Sequence, residues 1–436
     1  MDRQWGFRTR AVHAGAVPDA ATGARAVPIY QTTSFVFEDT DDAASLFALQ
    51  KFGTIYSRIS NPTVAALEER LASLDGGLGA VCTASGQAAE FLTFACLAGT
   101  GDQIVAGAGL YGGTITQLDV TLRRFGVDTV FVPGTLPSAV AAAITENTKL
   151  VFAELIANPS GDIADIAALA EVAHSAGVPL VIDATLATPF LCRPIEHGAD
   201  IVIHSATKFL GGHGTTLGGV VVEAGRFDWG NGRFPTMTAP IPSYGGLTWW
   251  GNFQEFGFLT KLRAEQLRDI GPSLSPMAAF LLLQGVETLP VRMAAHVTNA
   301  RTVAEWLAAD RRVSYVRWAG LPDHPHHDRA RRYLPLGPGA VFSFGVQGGR
   351  DAGRAFIESV RLCSHLANVG DARTLVIHPA STTHHQLSDA QLRECGVPPD
   401  LVRISVGLED PEDILWDLDL ALTNATKDGR FQGVQG

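Results

Sequence analysis

The sequence predicts an α/β fold: a mostly parallel central sheet covered by helices on both faces, followed by a smaller α/β domain. Two observations predict it. From about Pro62 short apolar runs alternate with helix-like stretches, and after Gly271-Pro272 that alternation changes character. Buried strands of a parallel sheet read as such runs, because both faces are covered.

The elements follow in order. Residues 1–61 show few periodic segments and read as an N-terminal arm with loops. Residues 80–83 form a short apolar run, followed by a helical stretch at 88–97. Strands are expected at 103–105, 129–132 and 150–152, then a helix with Ile163, Ile166, Leu169 and Val172 on its apolar side. Further strands fall at 179–183, 201–203 and 219–222, which completes a large domain spanning 62–271. The C-terminal domain, 272–436, reads as helices at 278–283 and 296–308, strands at 313–316 and 340–346, and a helix at 354–366. Strands at 375–378 and 402–406 and a closing helix from Pro411 then give an antiparallel sheet. Functional groups are expected in the loops that leave the parallel strand ends.

Composition narrows the classes. A chain of 436 residues with 46% hydrophobic content can bury several cores, and its net charge of −11 argues against a nucleic-acid backbone as partner. Five scattered cysteines (82, 96, 192, 363 and 395) without a CxxC pair read as reduced thiols. The opening Met1-Asp2-Arg3-Gln4-Trp5 has no apolar signal core, and no apolar run reaches membrane-spanning length. A soluble cytoplasmic protein with no membrane partner is the expectation.

One stretch carries the most chemistry: Ser205-Ala206-Thr207-Lys208-Phe209-Leu210-Gly211-Gly212-His213-Gly214, directly after the apolar run at 200–204. An ε-amine held away from water loses its proton more readily and can form a Schiff base with a carbonyl. Ser205 and Thr207 add hydroxyls that suit an anion, and the glycines let backbone approach closely. A surface lysine before a glycine turn would look the same.

Asp183 ends an apolar strand, where a carboxylate is either a loop cap or the partner of a cation such as a pyridinium nitrogen. Ser85-Gly86-Gln87 stands at a helix start, so Ser85 is either an ordinary N-cap or part of a phosphate cradle. Tyr111-Gly112-Gly113-Thr114 offers an aromatic ring on a turn, and Tyr56-Ser57-Arg58 offers phosphate donors on the arm. A lysine, an acidic partner, a stacking ring and phosphate donors are together what pyridoxal 5'-phosphate needs.

The resemblance then becomes specific. YSRISNPT at 56–63, SGQAA at 85–89, YGGT at 111–114, Asn158-Pro159, DATLATP at 183–189 and SATKFLGGHG at 205–214 are similar to the Cys/Met-metabolism family of pyridoxal-phosphate enzymes. The stretches at 268–289, 368–375, 378–384 and 403–409 extend the likeness over nearly the whole chain. The resemblance implies a fold-type-I, aspartate-aminotransferase-like transferase. It implies that Lys208 holds the cofactor and shuttles protons, that Asp183 pairs with the ring nitrogen, and that Tyr111 stacks on the ring. It assigns the cofactor to Ser85, Gly86, Gln87, Asn158, Ser205 and Thr207, with Tyr56 and Arg58 reaching a neighbouring subunit's phosphate site. An obligate dimer, with a tetramer beyond it, follows from that arm. Arg403, assisted by Asn368, is implied to bind the substrate carboxylate.

Within the family, Phe227 through Trp250, NVGDARTL and HPASTTH resemble the longer O-acetylhomoserine sulfhydrylases, and Gly113 stands where methionine γ-lyases usually carry cysteine. The implied reaction is γ-replacement on O-acetyl-L-homoserine by sulfide or a thiol. Alternatives are the succinyl ester, a cystathionine synthase, a lyase, a non-sulfide nucleophile, or a cofactor-binding scaffold without turnover. Ala184, Gly245 and Ser160-Gly161-Asp162-Ile163 depart from the common pattern and bear on the acyl group and nucleophile. The histidines at 324, 326, 327, 384 and 385 fit no standard zinc spacing, so no metal is expected. Trp249-Trp250 reads as interface packing.

Overall fold

The computed structural model describes residues 5–133, 136–386, 388–394 and 396–427, so Met1–Gln4 and Cys395 lie outside the described residues. The chain forms two compact units. The first comprises residues 1–154, 165–211 and 215–289; the second comprises 155–164, 212–214 and 290–436.

The first unit is built on seven strands: β1 (Gly79–Thr83), β2 (Gln103–Gly107), β3 (Asp128–Val132), β4 (Thr148–Glu154), β5 (Leu180–Asp183), β6 (Ile201–His204) and β7 (Gly219–Glu223). Their spatial order is β1-β7-β6-β5-β4-β2-β3. The pairs from β6 across to β3 are parallel, whereas β7 runs antiparallel to both β6 and β1. The predicted parallel sheet is therefore present, with one reversed strand. Helices Pro62–Asp75, Gly86–Leu97 and Ile166–Ser175 pack against it. Its core joins Phe94 and Phe152, edge to face at 5.1 Å, with Trp229 stacked on Phe258 at 5.3 Å.

The arm is more ordered than its sequence pattern suggests. It contains helices Phe7–His13 and Thr40–Phe47, the second capped by the Asp39 side chain accepting the Asp42 N–H. Both are too short for periodicity to register. Trp249 is fully buried in the core of this unit rather than at an interface, with Trp250 packed against that core.

The second unit carries β8 (Val313–Arg317), β9 (Val341–Val346), β10 (Ser364–His365), β11 (Leu375–Ile377) and β12 (Leu401–Ser405), in the order β10-β11-β12-β9-β8. All neighbours are antiparallel except β10 and β11. The helix expected at 354–366 instead spans Gly349–Ser359, and Ser364 begins a strand paired with Leu375. The helix expected from Ile163 begins at Ile166, because Asp165 caps it and Ile163 bridges to Ile156.

Among the described residues no helix is long and apolar enough to cross a membrane. Cys82, Cys96, Cys192 and Cys363 are buried free thiols.

Candidate active site

The parallel strands of the first unit bring their last residues side by side. Glu154 and Asp183 are register partners on β4 and β5, and Asp183 faces Ile203 on β6. A parallel sheet puts every strand's C-terminal end at one edge, so side chains far apart in sequence converge there.

Asp183 is held by its own loop. Its Oδ1 accepts the Thr185 N–H at 2.7 Å, and Thr185 Oγ1 accepts the Ser205 N–H at 2.8 Å. Thr185 thus ties the loop after β5 to the loop after β6. Burial pushes the Asp183 carboxyl up, while the Thr185 hydrogen bonds and the charge of His204 pull it partly back. His204 is itself buried, with Nε2 3.0 Å from Asp75 Oδ2. Burial opposes its charge, but the carboxylates of Asp75 and Asp183 outweigh that and raise its pKa.

Lys208 sits half-buried on a compact turn between β6 and β7. Its N–H bonds to the Ser205 carbonyl at 3.1 Å, and Gly211 N–H bonds to Ala206 O at 2.9 Å. Thr207 secures the turn to the start of β7: its hydroxyl accepts the Gly218 N–H at 3.0 Å and lies 3.2 Å from the Gly218 carbonyl. The helix Gly86–Leu97 begins against this turn. A Cβ on Gly86 would lie 2.6 Å from Ser205 Cβ, so only glycine allows the approach.

Ser85 is an N-cap, its Oγ accepting the Ala88 N–H at 3.1 Å. The first N–H groups of the helix have no acceptor within it and carry the positive end of its dipole. The Gln87 side chain turns inward, Nε2 donating to Glu90 Oε2 at 2.9 Å. Tyr111 opens the short helix Gly112–Thr116, and its N–H donates to Glu154 Oε1 at 2.5 Å. Its ring stays half exposed. Tyr56 and Arg58 lie on the arm, the guanidinium 5.3 Å from the ring centre and also donating to the Arg268 carbonyl.

The second unit gathers Asn158, Asn368 and Arg403. Ser343 on β9 donates its hydroxyl to the Pro159 carbonyl at 2.9 Å, and the register partner of Ser343 on β12 is Arg403. Arg403 Nη2 donates to the Asn368 carbonyl at 3.2 Å. Ser405 Oγ accepts the Gly370 N–H, which keeps that stretch on β12.

Ile163 is gripped from both sides in the same unit. Its N–H donates to His326 Nδ1 at 2.9 Å, and its carbonyl accepts from Arg329 at 2.8 Å. Two of the histidines whose spacing fits no zinc site, His324 and His326, therefore border this loop, His324 lying close to Gly161. Of the departures from the family pattern, Ala184 is buried, with its N–H on Ile203 O. Gly245 closes a turn at φ 67°, a left-handed geometry that favours glycine over histidine.

In the first unit Glu90, Glu154 and Thr185 stand among these residues, and in the second Ser343 stands beside Arg403, none of them singled out in the sequence. Glu154 ends an apolar strand just as Asp183 does, so the same signal marks it. Glu90 and Ser343 have no local signal.

A buried carboxyl beside other carboxyls, a lysine on the adjoining turn and a helix start against that turn suit one cofactor class. Among the described residues the Thr185 N–H and His204 favour the Asp183 anion, and a pyridinium N–H would add a further cation. The helix start and the hydroxyl-bearing turn suit a phosphate. The fold and these residues define a pyridoxal-phosphate enzyme.

Comparison with known proteins leads to the same place. This chain belongs to the Cys/Met metabolism family of PLP-dependent enzymes, which it matches over residues 8–423. It is 48% identical to an O-acetyl-L-homoserine sulfhydrylase of Leptospira meyeri, over 97% of this chain and 98% of the relative. A homocysteine synthase of Schizosaccharomyces pombe is 49% identical over 95% and 98%. Among solved structures, a putative O-acetylhomoserine (thiol)-lyase of Campylobacter jejuni bearing a pyridoxyl-lysine phosphate superposes with a TM-score of 0.92. The two are 36% identical, with 96% of this chain and all of that one covered.

Proposed function

We propose that this chain is a PLP-dependent transferase that replaces the acetate of O-acetyl-L-homoserine with sulfide, giving L-homocysteine and acetate. The observation that carries the reading is full-length similarity, near half identity, to enzymes named for that reaction. In the reaction the Cγ–O bond breaks with its electron pair leaving on acetate, and hydrosulfide brings the pair for the new Cγ–S bond.

Pyridoxal phosphate supplies an electron sink that acidifies the protons on Cα and Cβ of a bound amino acid. The residues around it divide the remaining work. Lys208 holds the cofactor, and its Nζ moves the protons at Cα and Cβ. Asp183 pairs with the ring nitrogen and Tyr111 stacks on the ring. Ser85, Gly86, Gln87, Ser205 and Thr207 bind the phosphate, with backbone N–H groups and the helix dipole as the main attraction. Asn158 completes the cofactor contacts. Arg403 forms a forked pair with the substrate carboxylate, and Asn368 positions it.

The arm, residues 1–61, contributes Tyr56 and Arg58 to a second copy's phosphate site, which makes the dimer obligate and a tetramer its extension. Exposed apolar side chains along the arm, Val17, Val36, Phe47 and Phe52 among them, support this reading. The free thiols fit a cytoplasmic location.

The test is incubation with O-acetyl-L-homoserine and sulfide, reading homocysteine by mass, with O-succinyl-L-homoserine as the competing ester. Lys208→Ala should lose the visible cofactor band and the product together. A colourless protein that cannot be reconstituted with pyridoxal phosphate would overturn the reading. Product from the succinyl ester alone would move the specificity.

A further inference from the structure

Three carboxyl groups come together behind the strand ends. Glu154 and Asp183 are register neighbours, and Glu154 accepts the Tyr111 N–H. Glu90 enters from the helix Gly86–Leu97 and is only 3% exposed. Its Oε2 accepts from Gln87 Nε2 at 2.9 Å and from Thr114 Oγ1 at 2.8 Å. The carboxyls of Glu90 and Asp183 face each other closely enough that Asp183 pushes the Glu90 acid up while Glu90 pulls Asp183 down.

Two carboxylates have only acceptors, so a hydrogen bond between these neighbours requires a proton on one of them. Asp183 is faced by the Thr185 N–H and by His204 on β6, both of which favour its anion. Glu90 is faced by Asp183 on β5 and Glu154 on β4, which disfavour a second charge, and the Thr114 and Gln87 donors offset them only in part. Burial acts in the same direction, holding the Glu90 acid well above the ordinary carboxyl range. Gln87 donates to Oε2 alone, while the Thr114 hydroxyl reaches both oxygens, 2.8 Å from Oε2 and 3.0 Å from Oε1, so a proton on Oε1 leaves Oε2 to accept from both side chains.

We propose that Glu90 is a positioning residue for the cofactor ring: as a neutral acid it donates to Asp183 and keeps that carboxylate charged and turned toward the pyridinium N–H. The proposal rests on the reading of Asp183 as the ring-nitrogen partner. Gln87 and Thr114 then act through Glu90, fixing the orientation of its carboxyl group.

The test uses apoprotein of the full chain as wild type, Glu90→Gln, Glu90→Leu and Asp183→Ala. Pyridoxal phosphate affinity is measured by titration, and the melting temperature of each apoprotein is followed from pH 6 to 9. Glu90→Gln keeps a donor without a titrating proton, so its affinity at pH 7 should stay within about threefold of wild type. Glu90→Leu removes the donor and should weaken binding about 10- to 100-fold.

The folded wild type holds a proton on Glu90 that the unfolded chain has released, so its stability falls as pH rises above the ordinary carboxyl range. Glu90→Gln should therefore lose less melting temperature toward pH 9. Wild-type affinity in Glu90→Leu alongside weak binding in Asp183→Ala would overturn the role of Glu90 alone. So would equal weakening in the Gln and Leu variants, or parallel melting curves. Wild-type affinity in Asp183→Ala would overturn the reading of Asp183, and this proposal with it.

Discussion

Gly113 lies directly against the ring of Tyr111: a Cβ there would come within 2.5 Å of Cε1 and 3.2 Å of Cδ1 and Cζ. The ring keeps its place because position 113 has no side chain. Tyr111 is 52% exposed, so a displaced ring has somewhere to go.

Gly113→Ala should therefore spare the fold and disturb the site. The expected change in stability is about 0.5 kcal/mol, while kcat/KM should fall about tenfold as the ring turns away from the cofactor. Thermal melts beside steady-state kinetics check it. Unchanged kcat/KM would show that the ring's orientation does not matter.

Glu223 predicts a pH dependence of stability unrelated to catalysis. Burial lifts its carboxyl from 4.5 to about 8, opposed by the hydrogen bond it accepts from Trp229 Nε1 at 2.9 Å. Between those values the folded state keeps a proton that the unfolded state releases. Stability should thus fall as pH rises through that window, by up to roughly 1.4 kcal/mol per pH unit. Glu223→Gln retains an acceptor for Trp229 and should flatten the curve. Denaturant midpoints at pH 5, 6.5 and 8 in both proteins measure this.

His326 predicts the opposite slope. Its Nδ1 accepts the Ile163 N–H, which an imidazolium cannot do, and burial lowers its pKa from 6.5, with Asp162 partly opposing and Arg329 adding to the shift. The stability it contributes is complete above 6.5 and is lost as pH falls toward its folded value. Because Ile163 belongs to the loop that carries Asn158, KM should rise in acid along with this loss. His326→Gln, which accepts the same N–H without titrating, should show a flatter KM profile between pH 5 and 7. Identical profiles would remove His326 from that role.

Much of this site could be read locally. Lys208, Asp183, Ser85 and Tyr111 each sit where an apolar strand or a helix start ends, and such ends are visible in sequence because they interrupt an apolar pattern. Glu154 carries the same mark. Glu90 does not, since a single glutamate on a helix gives no hint that it points inward at another carboxyl. Trp249 misled for a related reason: two adjacent tryptophans signal a large apolar contact but not which surface provides it. The helices of the arm escaped notice because seven or eight residues hold barely two turns.

Hydrophobic alternation and chain order were enough to specify an α/β fold with a parallel sheet, because each strand's burial is written into its own residues. Which strand ends stand together was decided only by tertiary structure, since register and strand order depend on packing between segments far apart in the chain. That packing sets Glu154 beside Asp183, brings Glu90 against them, and leaves Gly113 as the space beneath Tyr111. Proton placement follows from these neighbours. A carboxyl's charge is a property of its surroundings, and those exist only once the chain has folded.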